Sequence, residues 1–217
     1  MDPIKHDLEK VRSQVGKVCH VVGWEMSAEE ALAFMKSLNK TVITFFGYSG
    51  SGYENENAML DVVSRILLSN SSESALVNIG ATGEGLGKAY KLAKSMGFTT
   101  TGIVSSLALE YPESISEYVD HICFIKDTQW GGRMPDSDEM SPTSKVMVQC
   151  SDLMIGIGGN AISRDELLYG KKLGKPVQFY AAEVNHEWSI RRARKQNQPD
   201  PAHFFGDAHD VFGEPDE

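Results

Sequence analysis

Cysteine is scarce. Cys19, Cys123 and Cys150 are the three in 217 residues, an odd set with no Cys-x-x-Cys and no Cys/His spacing. That excludes a disulfide framework and a thiolate metal site, and leaves buried free thiols in a reducing compartment as the expectation. Long apolar runs are missing too: none approaches the about 20 residues that a membrane span requires. Asp2, Lys5, His6 and Asp7 stand where a secretory signal would carry an apolar stretch. The expected location is the cytoplasm, with no membrane partner. Positive charge is short as well, with 21 Lys and Arg against 30 Asp and Glu and a formal net charge of −9. That balance excludes long-range capture of nucleic acid or anionic lipid. It does not exclude a small anion, because a few backbone amides at a helix end hold a phosphate whatever the overall field. No Ser-His-Asp arrangement, Cys-His pair or internal repeat is found. His203, Asp207, His209 and Asp210 have no firm metal-ligand spacing, so neither a metal nor a resident cofactor is expected.

What is present is apolar sequence in short pieces. Hydrophobic residues make up 41% of the chain, enough to cover both faces of a buried sheet within one domain. Compact β-rich runs predict strands over 41–46, 75–79, 99–104, 118–125, 153–157 and 176–180. Helical apolar spacing predicts helices over 55–68, from the second loop to Met96, over 142–150 and over 164–172. Strands alternating with helices mean βαβ units and a mostly parallel sheet with helices on both faces, an α/β doubly wound, Rossmann-like fold. Ahead of it, 2–15 reads as a short helix, with Asp2 as cap, Pro3 at the first helical position and Ile4, Leu8 and Val11 on one stripe. A second helix follows Ser27, where Ser27 and Glu30 form a capping box. The expected division is a helical extension over 1–40, a nucleotide-binding domain over 41–195 and a tail over 196–217. The tail holds six acidic and two histidine residues and is either loosely ordered or docked through Phe204, Phe205 and Phe212.

In an open parallel sheet, ligands lie beyond the carboxyl ends of the strands. Three predicted strand ends here are glycine-rich. The first loop, Gly47-Tyr48-Ser49-Gly50-Ser51-Gly52, offers backbone amides and the Ser49 and Ser51 hydroxyls. The second runs from Gly80 through Thr82, Gly83 and Gly85 to Gly87; it is not a strict Gly-x-Gly-x-x-Gly, and Ala89 after Lys88 excludes a P-loop ending. The third, from Gly158 through Gly159, Asn160 and Ser163 to Glu166, opens a helix, whose N-terminus favours an anion. Candidate ligand contacts are therefore Gly47, Ser49, Ser51, Gly80, Thr82, Gly83, Gly158, Gly159, Asn160 and Ser163. Glu166 has two readings. It is either a carboxylate aimed at a sugar hydroxyl or an attacking water, or the closing residue of a capping box with Ser163. The stretch 127–140 has no helix or strand pattern and is either an ordinary surface loop or a lid or binding loop, with Trp130 for a base, Arg133 for phosphate and Gly131-Gly132 as hinge. The basic run from Trp188 to Lys195 reads as a solvated face or subunit contact.

The third loop, with Asp152-Leu153-Met154-Ile155-Gly156-Ile157-Gly158-Gly159 before it and Gly174-Lys175-Pro176-Val177 after it, resembles the LOG ("lonely guy") phosphoribohydrolase family. The likeness spans roughly 41–180. The second loop with its flanking strands and helix also resembles that family, and the first loop takes the place of its Gly-Ser-Ser turn. The resemblance implies a homodimer that takes a nucleoside 5′-monophosphate and cleaves its N-glycosidic bond, with Glu166 at the catalytic glutamate and Ser163 at the motif threonine. The loop is one residue longer than the motif, and Asn160-Ala161-Ile162 replaces glycine-rich residues. Thr143-Ser144 stands where the family carries a catalytic arginine, leaving Arg133 or neighbouring Lys145 to supply the charge. The alternative to an enzyme is a binding module that senses a nucleotide-derived ligand without turnover.

Overall fold

The computed structural model describes residues 3–12 and 17–213, with the backbone alone for 7–12 and 17–21. Eight strands form one sheet in the order β1-β2-β6-β5-β4-β3-β7-β8. They are β1 (Ile4–Arg12), β2 (Lys17–Met26), β3 (Thr41–Gly47), β4 (Ala75–Ile79), β5 (Thr99–Ser105), β6 (His121–Ile125), β7 (Leu153–Ile157) and β8 (Val177–Tyr180). Strands β2 to β8 are parallel; β1 pairs antiparallel with β2 at the edge. Residues 42–46 of β3 and all of β4 are buried, as strands covered on both faces must be.

The helices divide between those two faces. Helices α2 (Glu56–Leu68) and α3 (Ala89–Ser95) bury Met59, Val63, Leu67, Tyr90 and Ala93 in one apolar cluster. On the other face, α1 (Ala28–Ser37), α4 (Pro142–Gln149) and α5 (Ala161–Lys172) bury Met35, Val146, Met147 and Leu167. A polar seam crosses the buried sheet: Asn78 donates to Thr44 Oγ1 (3.3 Å) and accepts from Thr101 Oγ1 (3.0 Å), and Ser151 Oγ lies 2.6 Å from Thr44 Oγ1. Each group is paired, as burial demands.

All six strands expected from the apolar runs are present, and α1 starts with the expected capping box, Ser27 and Glu30 each reaching the other's backbone N–H. The helix expected over 2–15 is a correction. Within that stretch Ile4–Arg12 is β1, residues 2 and 13–15 lie outside the described residues, and Lys17–Met26 is a further strand. The four-residue spacing of Ile4 and Leu8 fits a strand face as well as a helical stripe, and the β-rich run from Val18 to Trp24 supplies a partner to pair with. Beyond β8 come α6 (His186–Lys195) and the short α7 (His209–Phe212).

The tail is docked rather than loose. Phe204 stacks on His186 at 3.8 Å between centroids, Phe205 on His209 at 4.1 Å, and Phe212 packs against Phe179. Burial pushes the Cys123 and Cys150 thiols up to about 12, so both stay protonated and inert. The Cys19 side chain lies outside the described residues. Among the described residues, no helix is long and apolar enough to cross a membrane.

Candidate functional site

The strand order reverses beside β3: β4 continues the sheet one way, and the chain returns as β7 on the other side. Loops leaving β3 and β7 therefore diverge, opening a crevice at their carboxyl ends. A cleft of about 470 Å³ lies there. It brings together Gly47, Ser49 and Ser51 from the first loop, Gly80 and Thr82 from the second, and Asn160, Ser163 and Glu166 from the third. Ile79, Ile103, Ile115, Met147 and Trp130 supply apolar wall. No Lys or Arg is among the lining residues.

Two tyrosines hold these loops. The Tyr53 hydroxyl donates to the Ile157 carbonyl (2.9 Å) and accepts the Tyr48 N–H (3.1 Å), tying the ends of β3 and β7 together. This close approach is why residue 47 is glycine: a Cβ there would lie 2.1 Å from Tyr53 Oη and 2.6 Å from the Ile157 carbonyl oxygen. The Tyr48 hydroxyl donates to the Ala182 carbonyl (3.1 Å) and accepts the Gly206 N–H (2.8 Å). Ala208 N–H adds a bond to the Gly159 carbonyl, so the tail braces the third loop. The second loop docks on the first through Leu86 N–H to the Tyr48 carbonyl (2.8 Å). Its Ala81, at φ 59, is held in that left-handed conformation by the Tyr90 hydroxyl on its N–H and Ser116 N–H on its carbonyl.

The third loop differs from expectation in where its helix begins. Helix α5 starts at Ala161, with Asn160 as a cap whose side chain makes no capping bond. Ser163 is thus inside the first turn and bonds the Gly47 carbonyl (3.2 Å), and Glu166 lies a turn further in. The capping-box reading of Glu166 does not hold. The amides of Ala161, Ile162 and Ser163 have no intrahelical partner and mark the positive end of α5 at the cleft.

Glu166 is 6% exposed. Burial pushes its carboxyl up to about 7, moderated by a 2.6 Å hydrogen bond from the Ser144 hydroxyl and reinforced by neighbouring Asp165. Ser144 Oγ in turn accepts the Gly132 N–H (2.7 Å), pinning the 127–140 loop over the carboxyl group. Asp127 anchors that loop by accepting the Thr143 N–H, and Trp130, 53% exposed, leans on Tyr111 with ring centroids 5.9 Å apart.

Other candidates fall outside the cleft. Arg133 Nε lies 3.3 Å from Asp165 and its Nη1 3.2 Å from Asp138, and Arg133 does not line the cleft. Lys145 pairs with Glu139. Gly83 faces a groove between α2 and α3, its N–H taken by the Ser114 carbonyl. Gly158 and Gly159 sit behind the cleft wall, against the Tyr48 ring and the Ser163 side chain. Sequence reasoning missed the clamps of Tyr48 and Tyr53; the one available signal was a tyrosine at each end of a glycine-rich turn. It also missed that Ser144 would be the partner of Glu166. Among the described residues, no three His, Cys, Asp or Glu side chains gather as a metal site.

Fold and cleft together define a Rossmann-type α/β protein with a crevice at the reversal of its sheet. No model of a known protein family matches the chain, and no curated protein does. Solved structures do match. A molybdenum cofactor binding protein from Rippkaea orientalis is 19% identical, covering 73% of this chain and 85% of its own, with a TM-score of 0.48. The Moco carrier protein from Chlamydomonas reinhardtii is 20% identical over 73% and 85%, with a TM-score of 0.46. The structural-genomics target TM1055 is 20% identical over 63% and 72%, with a TM-score of 0.47. At these values the likeness is one of chain path.

Proposed function

We propose that the cleft binds a nucleoside 5′-monophosphate or a close nucleotide derivative. The observation that carries this reading is the convergence of three strand-end loops, two hydroxyls and one helix N-terminus on a single crevice with an apolar wall. The free amides of Ala161 to Ser163 and the Ser49 and Ser51 hydroxyls suit a phosphate without any cation. Trp130, Ile103 and Ile115 suit a planar base. The sugar then lies along the wall that carries Glu166.

A second reading, hydrolysis of the N-glycosidic bond, is favoured by Glu166. A carboxyl group with a pKa of about 7 can give a proton to a departing base or take one from a water adding to the anomeric carbon. Arg133 is occupied by Asp165 and Asp138, so the binding reading stands first.

Thermal-shift measurements with AMP, other nucleoside monophosphates, NAD and ADP-ribose test the binding reading, with free base assayed in parallel. Ligands that bind the folded state raise its melting temperature. A shift without base release is the expected result. Base release that disappears in Glu166→Gln would establish the enzyme, and no shift from any compound would end the nucleotide reading.

A further inference from the structure

Thr143 stands in the first turn of α4 and lines the cleft. Its residue is 4% exposed, and its Oγ1 is buried without a hydrogen-bond partner in the protein. An unpaired buried hydroxyl is destabilising, because it has lost its water without gaining a partner, so its retention asks for a reason. The usual resort of a helical threonine, the carbonyl four residues back, is not taken: α4 begins at Pro142, which leaves Glu139 outside the helix, where its carbonyl accepts the Met134 N–H. The Thr143 N–H is taken by Asp127, at 2.9 Å. The hydroxyl of adjacent Ser144 donates to Glu166 and accepts the Gly132 N–H. Among the described residues, Ser144 is also the one hydrogen-bond partner of the Glu166 carboxyl group.

Two lining residues beside Ser144 thus have hydrogen-bonding capacity left over: Thr143, whose hydroxyl can both donate and accept, and Glu166, whose second carboxyl oxygen has no partner among the described residues. That pair suits a ligand hydroxyl. It does not suit a phosphate, which an ionised Glu166 would repel and which finds its amides at the start of α5. We infer that Thr143 is a ligand-binding residue that reads a sugar hydroxyl beside Glu166, making the cleft selective for ribonucleotides over their deoxy counterparts. The inference rests on the nucleotide reading above and adds to it an orientation and a specificity: ribose hydroxyls towards α4, phosphate towards α5.

Titration calorimetry with AMP, 2′-deoxy-AMP and 3′-deoxy-AMP tests it, on the full chain and on Thr143→Val and Thr143→Ser. Wild type is expected to bind AMP about tenfold more tightly than at least one deoxy analogue, the worth of one good hydrogen bond. Thr143→Val is expected to bring the ligands level by weakening AMP alone, and Thr143→Ser to keep the preference. The unliganded Thr143→Val protein is expected to melt no lower than wild type, because a methyl group replaces an unpaired hydroxyl. AMP binding by wild type with no preference, a preference that survives Thr143→Val, or a melting point several degrees lower for that variant would each overturn the assignment. Failure of wild type to bind any of the three would instead overturn the nucleotide reading, and the assignment with it, before any substitution is made.

Discussion

Glu166 is the one carboxylate among the residues lining the cleft, and its surroundings set a price on its charge. In the folded chain its pKa stands at about 7 against an ordinary 4.5. Below pH 4.5 both folded and unfolded states hold the proton. Between 4.5 and 7 the folded state binds more proton than the unfolded one, so stability falls as pH rises through that window. The loss levels off above pH 7 at up to about 3 kcal/mol. Glu166→Gln removes the titration while keeping an acceptor for Ser144. Its melting temperature is expected to match wild type near pH 4.5 and exceed it by several degrees at pH 8, measured by calorimetry across that range. An offset independent of pH would show that Glu166 does not titrate in this window. Tyr53 gives a second residue-level prediction. Tyr53→Phe strands the Ile157 carbonyl and the Tyr48 N–H in a buried region, and is expected to cost about 1–3 kcal/mol in denaturant unfolding.

Among the elements, the 127–140 loop has the least regular structure and the most direct hold on Glu166. Gly131 and Gly132 have φ of 130 and 79, conformations that side chains rarely adopt, and a Cβ on Gly131 would lie 3.1 Å from Ser144 Oγ. Gly131→Ala is expected to strain the loop by about 1–3 kcal/mol and to loosen the Gly132 bond to Ser144. Ligand affinity should fall on the order of tenfold, while the melting temperature falls by roughly 2–12 °C, as strain of that size implies for a chain of this length. Titration against AMP beside a melting curve separates the two effects. This loop also marks how far the sequence could be read. Its lack of pattern, its tryptophan and its glycine pair were legible, but the fate of Arg133 was not, because Asp165 is brought to it only by the packing of α5. Strands β3, β4, β6 and β7 were legible because strands covered on both faces are mostly apolar, and β5 and the edge strand β8 because their β-branched and aromatic residues favour a strand. The start of α5 was misread by three residues: Ser163 and Glu166 have capping-box spacing, yet the glycines at 158 and 159 let the chain turn into helix earlier. Strand β1 was misread because a spacing of four serves both periodicities.

For the whole molecule, charge and site pull in different directions. A net charge of −9 repels a nucleoside monophosphate at a distance, and no Lys or Arg lines the cleft to reverse the local field. Association of AMP is therefore expected to quicken as ionic strength rises from about 20 to about 200 mM, over which the Debye length shrinks from roughly 20 to 7 Å. Stopped-flow rates measure this directly, and a rate that falls with salt would place unrecognised positive charge near the entrance.

The Tyr48 hydroxyl spans 158 residues to reach the Gly206 N–H. On a ribosome adding about 5–20 residues per second, that separation is on the order of ten seconds of synthesis. The turn after β3 thus leaves the exit tunnel long before the segment that braces it. By the end of that interval all eight strands have been made, so the turn after β3 gains its brace only after the sheet it belongs to has been synthesised.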